Sequence, residues 1–150
     1  MKTKILFPGT FDPFTIGHFA IVKRALAHFD EVIIAIGQHS EKRAALPLKE
    51  RLACINKVFE KEPRVSASAY SGLTADFAKE QGISLILRGV RSIADFEYER
   101  NIADINRRLF GIETVLMVAD AEFAHISSSL VRELLVYGKD INELLPLHYL

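Results

Sequence analysis

Residues 4–18 read Lys4-Ile5-Leu6-Phe7-Pro8-Gly9-Thr10-Phe11-Asp12-Pro13-Phe14-Thr15-Ile16-Gly17-His18. A short apolar run gives way to a loop of glycines, prolines, hydroxyls and one carboxylate, and the loop runs into a helical pattern that opens on a histidine. Strand, polar loop and helix in that order begin a parallel α/β unit. Such sheets bind ligands beyond the carboxyl ends of their strands. The loop contributes little to a core, so its polar residues belong to whatever occupies that edge.

The same alternation continues along the chain. Strands are predicted at residues 4–7, 31–36, 64–69, 84–87 and 113–118, and helices at 18–29, 48–60, 73–81, 94–109, 128–136 and 141–145. Gly82 and Gly111 follow helical segments and precede strands, as C-terminal cap glycines do. In the fourth helix Tyr98, Ile102, Ile105 and Leu109 recur at helical spacing, which predicts an inward apolar face. The expected fold is a Rossmann-like, doubly wound, five-stranded parallel sheet with helices on both faces, formed as a single domain of residues 1–150.

Composition narrows the function. Lys plus Arg and Asp plus Glu are 19 each, so no overall field draws the chain to nucleic acid or to an anionic membrane. Cys54 is the only cysteine and falls on a helical apolar stripe, which argues for a small core residue rather than a nucleophile. No stretch resembles a signal peptide or a membrane span, and a cytoplasmic protein is expected.

Three groups at the predicted ligand edge suit phosphates. Gly17 lets a ligand approach the start of the first helix, whose dipole favours an anion and keeps His18 a neutral hydrogen-bond donor. Lys42, Arg88 and Arg91 fall just beyond predicted strand ends and form a local cationic cluster in a chain without net charge. Ser127, Ser128 and Ser129 lie at the start of the fifth helix, where one serine suffices for a cap. The others imply a second phosphate cradle. Asp95 and Glu99 share a helix face, but acidic residues in a first turn explain them more simply than a metal cage. There is no G-x-G-x-x-G after the first strand, which counts against a dinucleotide dehydrogenase.

Pro8-Gly9-Thr10-Phe11-Asp12-Pro13 with Thr15-Ile16-Gly17-His18 resembles the signature of the nucleotidyltransferase superfamily: His or Thr, any residue, Gly, His. Arg88-Gly89-Val90-Arg91-Ser92-Ile93-Ala94-Asp95-Phe96-Glu97-Tyr98-Glu99, followed by Ile126-Ser127-Ser128-Ser129-Leu130-Val131-Arg132-Glu133, is more specific. It resembles the bacterial phosphopantetheine adenylyltransferases, and the similarity spans residues 4–146.

The resemblance implies transfer of AMP from ATP to 4'-phosphopantetheine, giving dephospho-coenzyme A and pyrophosphate with Mg2+. It implies contacts of Thr10 and His18 with the reacting phosphates, His18 stabilising the transition state with help from Lys42 and Arg91. By the same resemblance Thr10, Lys42, Thr74 and Arg88 bind phosphopantetheine. Phe11, Gly17, Gly89, Val90, Arg91 and Glu99 bind ATP, together with Phe123, Ala124, His125, Ile126 and the three serines. No side chain is expected to ligate the metal. A homohexamer and feedback by coenzyme A are further implications, with neither nucleic acid nor membrane as partner. Ile16 stands where asparagine is frequent, Phe123 where tryptophan or tyrosine is common, and the C-terminal tail is short. The alternatives are another small-molecule nucleotidyltransferase, such as a nicotinate-mononucleotide adenylyltransferase, and a non-catalytic ATP-binding domain. A transition-state group such as His18 argues against the last.

Overall fold

The computed structural model describes residues 1–38 and 44–146. Five parallel strands, β1 (Lys4–Gly9), β2 (Glu31–Gln38), β3 (Val65–Ser71), β4 (Leu85–Val90) and β5 (Glu113–Val118), lie in the order β3-β2-β1-β4-β5. The helices are α1 (Ile16–Ala25), α2 (Leu48–Val58), α3 (Thr74–Glu80), α4 (Ile93–Phe110) and α5 (Ser128–Val136). Residues predicted as a last helix form only a 3-10 turn, Asn142–Leu144. The chain winds outward from β1 through β2 to β3, then returns to the other side of β1 for β4 and β5. A switch point therefore lies between β1 and β4, where ligands bind in open parallel sheets.

Side-chain alternation along β1 divides the core in two. Ile5 and Phe7 pack with Ile21, Val22 and Ala25 of α1 and Ile55 of α2. Leu6 faces the opposite side, with Ala75 and Ala78 of α3 and Ile86 of β4. Both faces are covered, which is why the central strands read as near-continuous apolar runs. Cys54 is half-buried against the first of these clusters. Gly111 ends α4 at φ 67°, a left-handed conformation that glycine adopts at little cost.

Two expectations need correction. Arg88 is not beyond a strand end: β4 continues to Val90, held in register by Arg88 opposite Leu116 and Val90 opposite Val118. The apolar stripe of α4 is not inward either. Tyr98, Ile105 and Leu109 are 63%, 54% and 70% exposed, while Glu99 is the helix's one buried residue. Helical spacing shows that a face exists; it does not say which way the face turns. Here Asp95, Glu99 and Asn106 lie toward the ligand edge of the sheet together with Tyr98 and Ile102, while Ile105 and Leu109 line neither cleft.

Candidate active site

Pro8 shapes the crevice at the switch point. It lies in the central strand yet has no N–H to donate, and the pairing of β1 with β4 registers only at Leu6 and Ile86. Beyond that pair the Pro8 carbonyl accepts from Arg88 Nη1 at 2.6 Å, so a side chain bridges where the ladder stops. Gly9 follows because a Cβ there would lie 2.9 Å from the Phe11 ring. Phe11 itself has φ 50°, rare for a bulky residue.

The turn that starts α1 fixes His18. Thr15 is the N-cap: its Oγ1 accepts from the His18 N–H at 3.3 Å, and its own N–H donates to His18 Nδ1 at 2.9 Å. This is a capping box with histidine in the place usually held by Glu or Gln. Because Nδ1 accepts, the neutral ring carries its proton on Nε2. The ring packs against Phe11, Phe14 and Phe7 at centroid distances of 5.0, 5.4 and 6.2 Å. Burial there, reinforced by the positive charges of Arg88 and Arg91, pushes the His18 pKa down to about 3. The ring is a neutral donor at physiological pH.

A cleft of about 400 Å³ opens in front of it. Thr10, Phe11, Gly17 and His18 line one wall, Arg88, Gly89, Arg91 and Glu99 another. Phe123, Ile126 and Ser127 to Ser129 complete it, so the starts of α1 and α5 share one cavity. A second cleft of about 410 Å³ shares Thr10, Arg88, Tyr98 and Glu99 with the first. It extends past Thr74, Leu73, Ile102 and Phe110, and most of its far lining is apolar.

Most of the predicted site residues therefore gather in one place, with exceptions. Val90, Ala124 and His125 line neither cleft. Lys42 lies outside the described residues. Phe11 and Phe14 are buried in the core, so the loop after β1 contributes more to it than the sequence predicts, and the Phe11 ring supports the loop and His18. Glu99 does not present a free carboxylate. Its Oε2 and Oε1 accept from Arg88 Nε at 2.9 Å and Nη2 at 2.7 Å, a two-pronged pair that orients the guanidinium. Arg91 is similarly placed, its Nε 3.3 Å from Asp95 and its Nη1 3.3 Å from the Ile126 carbonyl.

Each serine also has a partner within the chain. Ser127 caps α5 by accepting from the Leu130 N–H, Ser128 Oγ donates to the Pro13 carbonyl at 2.8 Å, and Ser129 accepts from Arg132. Sequence reasoning passed over Arg51 and the roles of Asp12 and Arg132, all tied to the loop after β1. Arg51 had a signal: it lies four residues before Ile55 on the inward stripe of α2, where a charge has no reason to be unless it is bonded.

Known proteins resemble this chain over most of its length. The Cytidylyltransferase-like family model matches residues 6–134. A phosphopantetheine adenylyltransferase of Phocaeicola vulgatus is 52% identical over 143 residues, covering 95% of each chain. The chain belongs to the phosphopantetheine adenylyltransferase family. Another member, from Porphyromonas gingivalis, is 48% identical over 147 residues, covering 97% of this chain and 96% of that one. A solved structure from Vibrio parahaemolyticus, named as a nicotinate-nucleotide adenylyltransferase, covers 97% of this chain and 94% of its own at a TM-score of 0.64. At 20% identity that likeness speaks for the fold alone. These phosphopantetheine adenylyltransferases match nearly the whole of this chain.

Proposed function

We infer that the chain transfers the adenylyl group of ATP to 4'-phosphopantetheine, giving dephospho-coenzyme A and pyrophosphate in coenzyme A synthesis. The observation that carries this reading is the pair of clefts joined at Arg88. The first suits a polyphosphate between two helix starts. The second suits a phosphate ester with a long, weakly polar arm. ATP is assigned to the wall formed by Gly17, Gly89, Arg91 and Phe123 to Ser129, and the acceptor to Thr10, Thr74, Arg88 and Lys42.

No protein base is needed. A phosphate monoester has its second pKa near 6, so its oxygen is already ionised when it attacks the α-phosphorus. One P–O bond forms to the acceptor, the bond to the β-phosphate oxygen breaks, and pyrophosphate carries away the charge. What the chain supplies is alignment and charge stabilisation. His18 Nε2–H donates to an α-phosphate oxygen as negative charge grows on it. Arg88 and Lys42 hold the acceptor phosphate, and Arg91 and the helix starts hold ATP.

Mg2+, when bound, would neutralise the triphosphate. Among the described residues no three His, Cys, Asp or Glu side chains gather as a metal site, and the Asp12 and Glu99 carboxylates are held by N–H donors. The ion would ride on phosphates and water. Pyrophosphate release from MgATP, measured with and without 4'-phosphopantetheine, tests the whole reading. Release that requires this acceptor is expected. Release with nicotinate mononucleotide instead, or none with either, would overturn it.

Ser128→Ala is expected to weaken ATP binding about three- to tenfold, since one hydrogen-bonding group is worth roughly 1 kcal/mol. It also removes the bond to Pro13, while Ser127 keeps the cap, so stability should fall by only about 1 kcal/mol. Calorimetry with ATP and a melting curve separate the effects. Unchanged affinity with a large fall in melting temperature would make the serine purely structural.

The homohexamer is part of the same reading. The outward face of α4, with Ile93, Ile105 and Leu109 exposed, is apolar where a lone subunit needs charge, and a second copy is its natural cover. Ile105→Glu is expected to split the assembly, as read by light scattering. A parental mass for that variant would remove α4 from the interface. Coenzyme A carries both the acceptor's arm and an adenylate, so it suits both clefts as a competing ligand. No described helix is long and apolar enough to cross a membrane, and a cytoplasmic site of action fits the substrates.

A further inference from the structure

Of the buried polar or charged side chains among the described residues, Thr15 belongs to the cap and Glu99 to Arg88, which leaves Asp12 and Arg51 without a part in the scheme above. They are 3% and 6% exposed. Arg51 reaches from α2 to two main-chain oxygens: its Nη1 donates to the Thr10 carbonyl at 2.8 Å and its Nε to the Leu46 carbonyl at 3.0 Å. Asp12 completes the connection from the other side. Its Oδ2 accepts from the Ala45 N–H at 2.7 Å and its Oδ1 from the Leu46 N–H at 2.9 Å.

The loop after β1 is thereby fixed at successive points. Thr10 is held by Arg51, the Asp12 carbonyl by Arg132 Nη1 at 2.8 Å, and the Pro13 carbonyl by Ser128 Oγ at 2.8 Å. Between them Phe11 stands at φ 50°, a conformation that persists for a bulky side chain only where its surroundings impose it. Apolar residues could fill the volume of the guanidinium and carboxylate, but they would leave main-chain groups of Thr10, Ala45 and Leu46 without these partners. They could not hold two carbonyls and two amides at set positions.

We propose that Arg51 and Asp12 are positioning residues for adenylyl transfer, a buried clamp that sets Thr10 against the His18 donor. The inference rests on the functional reading above, in which Thr10 meets the reacting phosphates. Neither residue touches a substrate. Their effect is on alignment, and misplacement of about 1 Å at a reacting centre can cost on the order of 10²-fold in rate.

The test is a double-mutant cycle on the full chain, assayed by pyrophosphate release. Arg51→Lys keeps the charge and loses the fork that spans both carbonyls. It is expected to lower kcat by about 10- to 100-fold, with both KM values moving less than about threefold. With Thr10→Ala already in place, Arg51→Lys is expected to cost less than about twofold, because the group it positions is gone. Circular dichroism at the assay temperature corrects each rate for the folded fraction. Should Arg51→Lys not fold, Asp12→Asn takes its place in the cycle under the same criteria. Parental turnover in the folded variant, or equal losses in both backgrounds, would overturn the clamp while leaving the functional reading intact. A parent inactive with 4'-phosphopantetheine would overturn the reading and the clamp together.

Discussion

His18→Ala is expected to lower kcat by about 10²–10³ with little change in the KM of either substrate. The geometry gives the reason. The Thr15 N–H at 2.9 Å occupies Nδ1, so Nε2–H is the donor left for substrate. That bond strengthens as charge collects on the α-phosphate oxygens, and its loss therefore falls on the transition state. His18→Gln is the informative partner variant, because an amide oxygen can take the Thr15 N–H while its NH2 donates, though from a different position. It should keep the cap and recover only part of the rate. Near-parental turnover in His18→Ala, with saturating substrates, would leave the ring a structural cap alone.

The same residue sets a pH dependence whose sign can be worked out. The ring titrates at about 3 in the folded chain against an ordinary 6.5. Below 6.5 the unfolded chain takes up a proton that the folded chain refuses, so stability contributed by the neutral ring is complete above 6.5 and declines as pH falls toward 3. His18→Ala lacks this penalty. Melting curves at pH 7 and pH 5 should show the variant losing less on acidification than the parent. Turnover, for its part, should show no His18 ionisation near pH 6.5.

Arg88→Ala is expected to reduce kcat/KM for 4'-phosphopantetheine at least tenfold while ATP binding changes far less. A charge-assisted contact of about 1.5–3 kcal/mol disappears. In addition, the buried Glu99 carboxylate loses its partner and would face the acceptor phosphate as a like charge. Stability should fall as well, by roughly 2–3 kcal/mol, since an unpaired buried carboxylate is costly. Combining Arg88→Ala with Glu99→Gln separates the causes: the melting temperature should recover in part and acceptor use should not. Unchanged acceptor kinetics in the single variant would take Arg88 out of the site.

Much of this site was legible in the sequence because its motifs are local. Gly17-His18 and the serine triplet sit at helix starts, and their spacing from the preceding strands puts them on one edge of a parallel sheet. The remainder depended on tertiary contacts. That Glu99 would spend both oxygens on Arg88 cannot be read from an eleven-residue separation, and a frayed or extended strand end decides whether Arg88 follows β4 or belongs to it. Arg51 meets Thr10 across 41 positions, a distance at which no periodic pattern speaks. The orientation of α4 failed for another reason. Period identifies an apolar face, but either the sheet or a neighbouring copy can cover it.

That helix has one more consequence. Its polar side carries Glu99, which aims the acceptor's arginine, and its apolar side is the face assigned to a second copy. On that assignment one rigid rod spans the proposed subunit contact and the candidate cleft. By mass action, dilution below the dissociation constant of that contact would uncover Ile105 and Leu109 and loosen the helix that carries Glu99. Specific activity would then vary with enzyme concentration. Acceptor affinity would decay first, ahead of any loss in the nucleotide's.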